Sequence, residues 1–156
     1  MKIGIISDTH GFLSQQAFEA LKGVDYILHA GDVGGPEIIS ALDLIAPVTA
    51  VRGNTDGGIW AKRLPSTDVV SLANKTLYVI HDLHTLDIDP SAAGIHVVIS
   101  GHTHRPEIKT TGNILYLNPG SASQSRNAGP LSVGRISISN NGLQPEIIFL
   151  NGCSAG

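Results

Sequence analysis

The first 52 residues alternate three short apolar runs with two amphipathic segments, and this alternation constrains the fold most strongly. The apolar runs are typical of strands buried on both faces and span Lys2–Ser7, Asp25–Ala30 and Pro47–Arg52. Between them, Ser14–Gly23 and Gly35–Ala46 have the spacing of helices, one with a serine cap and one with a proline in its first turn. A β-α-β-α-β order predicts parallel strands joined by right-handed crossovers.

The second half of the chain is rich in strands. Two short strands flank the turn Ala73–Lys75, which is a hairpin signal. Further apolar runs, the last two separated by a turn at Asn140–Gly142, predict strands over Ile95–Ser100, Ile114–Ser121, Ser132–Ser139 and Pro145–Leu150. Together the two halves predict two sheets packed against each other, with helices outside.

Composition narrows the class of protein. A chain of 156 residues with 42% hydrophobic and 15% charged residues fits a single domain over residues 1–156 with a full core. A net charge of −3 argues against a surface that binds nucleic acid in general, so a nucleic acid is expected as a partner only if it is the substrate. The one cysteine, Cys153, excludes an internal disulfide and a cysteine zinc site. With no signal-peptide pattern and no apolar run of about 20 residues, we expect a cytoplasmic protein without a membrane partner.

Five of the predicted strands end in side chains that bind metal ions. In α/β sheets, ligands bind at the carboxyl ends of the strands, and parallel strands bring these ends to one edge. Gly31, Gly53 and Gly101 each precede such a side chain, where a residue without Cβ permits a sharp turn and a close approach. The candidate ligands are Asp8, His10, Asp32, Asn54, His81, His102 and His104.

The ligand types indicate the metal and the substrate. Oxygen and imidazole ligands without sulfur suit Mn²⁺, Fe²⁺, Zn²⁺ or Ni²⁺. Seven ligands exceed one tetrahedral site but fit two ions about 3.5–4 Å apart that share a carboxylate. With two carboxylates and neutral histidines, two divalent ions leave a charge of about +2, which favours phosphate. Taken singly, Asp8 is equally a helix cap, and Asn54 and Asp56 are turn residues.

The motifs SDTHG, HAGD, VRGNTD, GHTH and LNPGS, spread from Lys2 to about Arg126, resemble the calcineurin-like metallophosphoesterase superfamily and especially its small bacterial and archaeal phosphodiesterase branch. The resemblance implies an α/β fold: a four-layer α-β-β-α sandwich of two mixed sheets flanked by helices. It assigns one ion to Asp8, His10, Asp32 and His104. It assigns the second ion to Asp32, Asn54, His81 and His102, so that Asp32 is the bridge.

This resemblance predicts a metal-dependent phosphodiesterase in which two ions, with Mn²⁺ favoured, activate a water for in-line attack on a small phosphodiester. Asp32, Asn54 and His102 are the predicted catalytic residues. The predicted substrate contacts are Arg52, Asp56 and Arg126. A phosphomonoesterase or nuclease on the same centre is the alternative enzyme. A non-catalytic protein-binding scaffold, like the retromer subunit of this fold, is the alternative of another class. The natural substrate, the native metal and the oligomeric state, including a homo-oligomer, stay open.

The chain departs from the family pattern in three places. Thr55 stands where many superfamily members carry a histidine that protonates the leaving group, although the small branch tends to lack it. Asp82 replaces the glycine that usually follows the ligand His81, so its carboxylate either lowers the positive charge of the site or points to solvent. Ser125 replaces the proline that often precedes Arg126. The first departure removes the usual general acid.

Overall fold

Two five-stranded mixed sheets pack face to face in the computed structural model, which describes residues 1–123 and 129–150. The predicted substrate contact Arg126, its neighbour Ser125 and Cys153 lie outside the described residues. The elements in chain order are β1 (Lys2–Ile6), α1 (Gln15–Ala20), β2 (Tyr26–His29), α2 (Pro36–Asp43), β3 (Val48–Ala50), β4 (Thr67–Leu72), β5 (Lys75–Ile80), β6 (Val97–Ile99), β7 (Pro106–Thr111), β8 (Ile114–Pro119), β9 (Ser132–Ser139) and β10 (Gly142–Phe149).

The first sheet has the order β10-β9-β1-β2-β3 and the second has the order β4-β5-β6-β8-β7. Strands β1, β2 and β3 run parallel, which confirms the prediction from the first 52 residues. In the second sheet, β5, β6 and β8 run parallel while β4 and β7 are antiparallel edges. The five strand ends that carry candidate ligands are therefore divided between the sheets, and the site lies where the two carboxyl edges meet.

Both helices begin where the sequence predicts and end earlier. The Ser14 hydroxyl accepts a hydrogen bond from the Ala17 amide at 3.1 Å, and Pro36 occupies the first turn of α2. After Ala20 and Asp43 the backbone tightens into i→i+3 bonds, which close the last turn without continuing the α-helix. The helices are short, so their stability comes from packing on the first sheet rather than from propensity.

The core lies mainly between the two sheets. Ile3 and Ile5 of β1 face Leu77 and Val79 of β5 across this layer, and all four side chains are fully buried. Burial of each contributes about 1.5–3 kcal/mol. A second cluster, in which Ile6 takes part, packs α1 and α2 against the outer face of the first sheet. The run Lys2–Ile6 is thus buried on both faces, as its unbroken apolar sequence predicts.

The outer face of the second sheet is covered more thinly. Tyr78, Ile80 and Val98 pack there with Leu86, which follows the 3₁₀ turn Leu83–Thr85. The layered sandwich of two mixed sheets is confirmed, with this turn and its loop as the layer opposite the α-helices. No helix in the described part of the chain is long and apolar enough to cross a membrane.

Strand β7 is the one strand among the described residues that the sequence does not predict. Five of its six residues are exposed, so it has no apolar face that would reveal a strand. It pairs only with β8 and forms an edge of the second sheet, where a proline at its start and a lysine, Lys109, are typical. The hairpin between β4 and β5 is confirmed, with Ala73 and Asn74 at positive φ in its two-residue turn.

Candidate metal centre

Asp8, His10 and His104 form the first half of the site. Asp8 follows β1 and is fully buried. Its Oδ1 atom lies 3.2 Å from His104 Nε2 and 3.7 Å from His10 Nε2, and the two rings are 5.5 Å apart. The ligand atoms of these three residues lie within 4.8 Å of one another, which is compatible with one bound ion.

Asn54, His81 and His102 form the second half. Asn54 Oδ1 lies 2.9 Å from His81 Nε2 and 3.2 Å from His102 Nδ1, and the rings are 5.1 Å apart. His81 Nδ1 donates a hydrogen bond to the Ala30 carbonyl at 2.7 Å. With a metal ion bound, a neutral His81 would keep its proton on Nδ1 and direct the Nε2 lone pair into the site. Without an ion, burial lowers the pKa of His81, but its hydrogen bonds with Asp32 and the Ala30 carbonyl outweigh burial and raise this pKa, which favours a second proton on Nε2 that is donated to Asp32.

Asp32 lies between the two halves. Its Oδ2 atom is 3.3 Å from His81 Nε2 and 3.7 Å from His10 Nε2, while Oδ1 accepts the Thr55 amide at 2.9 Å. Burial alone would raise the pKa of Asp32, but the hydrogen bonds from His81 and Thr55 outweigh burial and hold the pKa well below its usual range. Asp32 is thus an ionised carboxylate in contact with one histidine of each half. Asp8, Asp32 and His81 also form a group whose ligand atoms lie within 4.8 Å of one another.

Five candidate ligands adopt a left-handed backbone conformation that is rare for residues with a side chain. Their φ angles lie between 48° and 73°. Such residues cost of order 1–3 kcal/mol each and cluster at functional sites. Only two other non-glycine residues in the described part of the chain have positive φ, and both belong to the β4–β5 turn. The five are Asp8, His10, Asp32, His102 and His104.

All three glycines that the sequence places before ligands are required by close packing, and at Gly31 a Cβ atom would collide with the side chain of His81. A Cβ atom at Gly53 would collide with the backbone and carboxylate of Asp32, and one at Gly101 would collide with the side chains of Ser7 and Asp8. Because all of these neighbours belong to the site, a methyl group would displace the ligands themselves. The sequence prediction of close approach at these positions is confirmed.

Two buried atoms of the site lack the partners that buried polar groups need. Asp8 Oδ1 and His10 Nε2 have no hydrogen-bond partner among the residues that the structure describes. A buried carboxylate oxygen without a partner costs several kcal/mol, on the order of what desolvation of a polar group requires. A divalent cation would satisfy both atoms, so the residues present fit a metal ion. The division of the seven ligands between two ions stays a prediction.

The sequence interpretation missed the serines that hold Asp8. The Ser7 hydroxyl donates to Asp8 Oδ2 at 2.7 Å, and the His102 amide donates to the same atom at 3.1 Å. Ser123 and Ser121 donate to the Asp8 carbonyl at 2.8 and 3.2 Å. The signal was present in the motifs SDTHG and LNPGS, whose serines stand beside the ligands but are not ligands themselves.

His29 is a buried side chain that connects two of the loops that carry candidate ligands. It is fully buried, accepts the Gly31 amide at Nδ1 (3.1 Å) and contacts Thr9 Oγ1 through Nε2 (3.0 Å). The Thr9 hydroxyl donates to the Val33 carbonyl at 2.7 Å, so His29 Nε2 is the donor in its contact with Thr9. Burial lowers the pKa of His29 to about 3, with a further contribution from His81. A neutral histidine thus ties the loop after β1 to the loop after β2.

The predicted substrate contacts have different environments. Arg52 lies beside Asn54, and its Nη2 donates to Ser66 Oγ at 3.0 Å. Asp56 is engaged by the backbone: its carboxylate accepts the amides of Gly53 (2.9 Å), Gly34 (2.9 Å) and Val33 (3.1 Å). Asp56 therefore joins the loops after β2 and β3, whereas its contact with substrate stays a prediction.

We expect Asp56→Ala to lower the free energy of unfolding by about 2–4 kcal/mol, because three backbone amides lose a charged acceptor. Asp56→Asn should lose less, since its amide oxygen still accepts. Urea unfolding of the metal-stripped proteins measures both, with Asp43→Ala as a matched control because Asp43 is exposed at the end of α2. Unfolding of Asp56→Ala at the wild-type urea concentration would contradict a structural role.

Asp82 turns towards the site. Its Oδ1 accepts the His84 amide at 3.0 Å and caps the 3₁₀ turn Leu83–Thr85, while Oδ2 lies 3.8 Å from His102 Nε2. This carboxylate adds negative charge next to a candidate ligand, which answers the question left open by the sequence: Asp82 does not simply point to solvent.

Comparison with known proteins agrees with the motifs. A family model described as the calcineurin-like phosphoesterase superfamily domain matches residues 1–141. A probable metallophosphoesterase from Methanothermobacter thermautotrophicus is 37% identical over 159 residues, covering 95% of this chain and 92% of the relative. Phosphodiesterase YfcE from Escherichia coli K12 is 31% identical over 160 residues, covering 87% of each chain.

A solved structure shares the fold. Vps29 from Entamoeba histolytica, in complex with Zn²⁺, has a TM-score of 0.75 at 23% identity over 97% of this chain and 100% of that one. At this identity the likeness concerns the fold alone. The family match over residues 1–141 and the two relatives show that the chain belongs to the calcineurin-like phosphoesterase superfamily.

Proposed function

We propose that this protein is a metal-dependent phosphodiesterase with two divalent ions at the edge of the two sheets. One observation carries the proposal: the Asp32 carboxylate lies between His10 of one ligand group and His81 of the other. A carboxylate between two groups of imidazole and oxygen ligands is suited to hold two metal ions close together, as a two-metal hydrolytic site does. Two relatives in this family, one archaeal and one bacterial, are named metallophosphoesterase and phosphodiesterase.

The ions would supply Lewis acidity: when bound, they lower the pKa of a water molecule and offset the charge of the phosphate. The chain's own residues determine where the phosphate approaches. Asp8, Asp32 and His81 are buried, whereas Asn54 is exposed and His102 partly so. Asn54 and His102 therefore form the open face of the centre, where their donors orient either the attacking water or the phosphate oxygens.

The chain offers no evident acid for the leaving group. Thr55 carries a hydroxyl, whose proton is far too tightly held near pH 7. Both oxygens of the Asp56 carboxylate already accept backbone amides, three in all. The leaving oxygen would then depart as an anion, and bound metal ions or the Arg52 guanidinium would offset its negative charge.

A protein-binding scaffold is the second candidate, because Vps29 shares the fold. A scaffold does not need every ligand, whereas this chain fills all seven positions and brings their side chains together. The complete ligand set therefore favours the enzyme. The preference for diesters over monoesters is part of the proposal, and so is Mn²⁺ as the preferred ion.

The test is hydrolysis of bis(p-nitrophenyl) phosphate, p-nitrophenyl phosphate and double-stranded DNA by protein loaded separately with Mn²⁺, Fe²⁺, Zn²⁺ and Ni²⁺. We expect the diester to be cleaved with the highest kcat/KM and Mn²⁺ to give the highest rate. Faster cleavage of the monoester would favour a phosphomonoesterase, and efficient cleavage of DNA would favour a nuclease. Metal binding without turnover of any of these esters would favour the scaffold.

A further inference from the structure

Two clefts lie beside the candidate metal centre, one on each side of the turn Asp82–Thr85. The first, which we call the Arg52 cleft, has a volume of about 550 Å³ and lies over β4 and β5. It begins at the candidate ligands Asn54 and His81 and continues past Arg52 and Ser66 to Asp87. An ester held at the metal centre would therefore have direct access to this cleft.

The second, which we call the Arg105 cleft, lies over β6, β8 and β7. Its inner part has a volume of about 260 Å³ and is lined in part by Thr103, Arg105, Glu107 and Tyr116. An adjoining cavity of about 450 Å³ shares three of these side chains and reaches the candidate ligand His102. The Arg52 cleft shares no lining residue with either of these cavities, so the two clefts are separate.

The residues that separate the clefts are Asp82–Thr85, which we call the dividing turn. Asp82 and Thr85 line the Arg52 cleft, whereas Leu83 and His84 line the Arg105 cleft. The turn has a defined conformation, since Asp82 Oδ1 accepts the His84 amide at 3.0 Å and the Thr85 hydroxyl donates to the Asp82 carbonyl at 2.7 Å. It directly follows the ligand His81, so its position is fixed relative to the centre.

Each cleft holds one guanidinium group without a carboxylate partner. Neither Arg52 nor Arg105 has a carboxylate oxygen within 4.0 Å among residues 1–123 and 129–150. By contrast, Arg135 on β9 is paired with Glu146. Unpaired guanidinium groups beside a phosphate site are suited to contact ester or phosphate oxygens.

We propose that the two clefts hold the two ester substituents of a phosphodiester, with the dividing turn between them. This inference rests on the proposed phosphodiesterase function and extends it to the substrate class. A monoester has one substituent and would leave one cleft without a purpose, whereas a diester bound at the centre directs one substituent to each side. The linings call for substituents with polar groups, and Leu83 and Tyr116 add apolar surface for a ring in the Arg105 cleft.

The test fills each cleft with an indole. Asp87→Trp narrows the Arg52 cleft and Glu107→Trp narrows the Arg105 cleft; both residues are exposed and neither is a candidate ligand. Lys109→Trp is the matched control, because Lys109 lies on the same edge strand as Glu107 but lines neither cleft. Each protein is assayed with bis(p-nitrophenyl) phosphate and with methyl p-nitrophenyl phosphate after its metal content and Tm are measured.

We expect both cleft variants to lower kcat/KM for bis(p-nitrophenyl) phosphate by about tenfold or more, the size of effect that lost pocket contacts produce. With the methyl ester, the variant that fills the cleft of the non-leaving substituent should stay within about twofold of wild type, because methyl needs little space. The other variant should lose activity on both esters. This difference would also identify which cleft receives the leaving group.

Two results would overturn the proposal. Either cleft variant could hydrolyse bis(p-nitrophenyl) phosphate as efficiently as the Lys109→Trp control, or both could lose the same factor on the two esters. A wild-type protein that hydrolyses no diester would overturn the proposed function and this inference with it. If the wild type hydrolyses diesters but the two cleft variants keep its kcat/KM, only the assignment of the clefts to the ester substituents would be overturned.

Discussion

Asp32→Ala is expected to lower diester hydrolysis by about 10³-fold or more and to reduce the metal bound per chain. Several kcal/mol of transition-state stabilisation come from a metal centre, and about 4 kcal/mol corresponds to this factor. Asp32 contacts a histidine of each ligand group, so its removal affects both ions and takes away the negative charge between them. Metal analysis of the purified variant, together with kcat/KM for bis(p-nitrophenyl) phosphate, measures both effects.

Three comparisons make this prediction specific. Removal of metal from the wild type by a chelator should abolish activity, and Mn²⁺ should restore it. Asp32→Asn keeps an oxygen for the Thr55 amide but loses the charge, so it should fall close to Asp32→Ala if charge is what the ions need. Asp43→Ala, far from the site on α2, should resemble wild type. Wild-type rates and metal content in Asp32→Ala would show that the ligand assignment is wrong.

The rate on diesters is expected to depend steeply on the leaving group. General acid catalysis is commonly worth about 10²–10⁴-fold, and Thr55, at the position where the family resemblance leads one to expect a histidine, is too weak an acid to supply it. Aryl diesters, whose leaving groups are stable anions, should therefore be cleaved faster than alkyl diesters. The ratio of the two rates should exceed the ratio for an enzyme with a general acid by about 10²–10⁴-fold. A plot of log kcat against leaving-group pKa, for a series of methyl aryl phosphates, gives the slope.

A flat plot would show that some group protonates the leaving oxygen. Asp82, whose Oδ2 lies 3.8 Å from His102, would then be the first residue to test, with Asp82→Asn as the variant. If Asp82 is the acid, this substitution should make the slope steep. Asp56 would be tested second, because both of its carboxylate oxygens already accept backbone amides.

The ligand side chains were predictable because each one follows an apolar run within a few residues. His81 directly follows β5, Asp8 and Asp32 stand two and three residues after β1 and β2, and a strand end is a strong local signal. The assignment of each strand to one of the two sheets was harder to predict from the sequence. It depends on which strands pair, and β6 pairs with β5 and β8 rather than with the first sheet.

Roles that depend on distant backbone were not predictable. Asp56 is a turn residue in the sequence, yet two of its partners are the amides of Val33 and Gly34, 23 and 22 positions away. Nothing in the residue types near Asp56 indicates these bonds. Strand β7 escaped prediction for a different reason, since an exposed edge strand carries no apolar periodicity. The clefts beside the centre likewise arise from the placement of the dividing turn, which has no sequence signature.

The left-handed backbone of five candidate ligands affects how substitutions would change the stability of this protein and its metal centre. Each of these residues holds a conformation that costs of order 1–3 kcal/mol, and glycine would adopt it with little strain. Replacement of His104 or His102 by glycine should therefore relieve strain in the metal-free protein even as it removes a ligand. Selection for thermal stability alone would favour loss of the centre, so an active protein with this loop geometry records selection for chemistry against selection for stability.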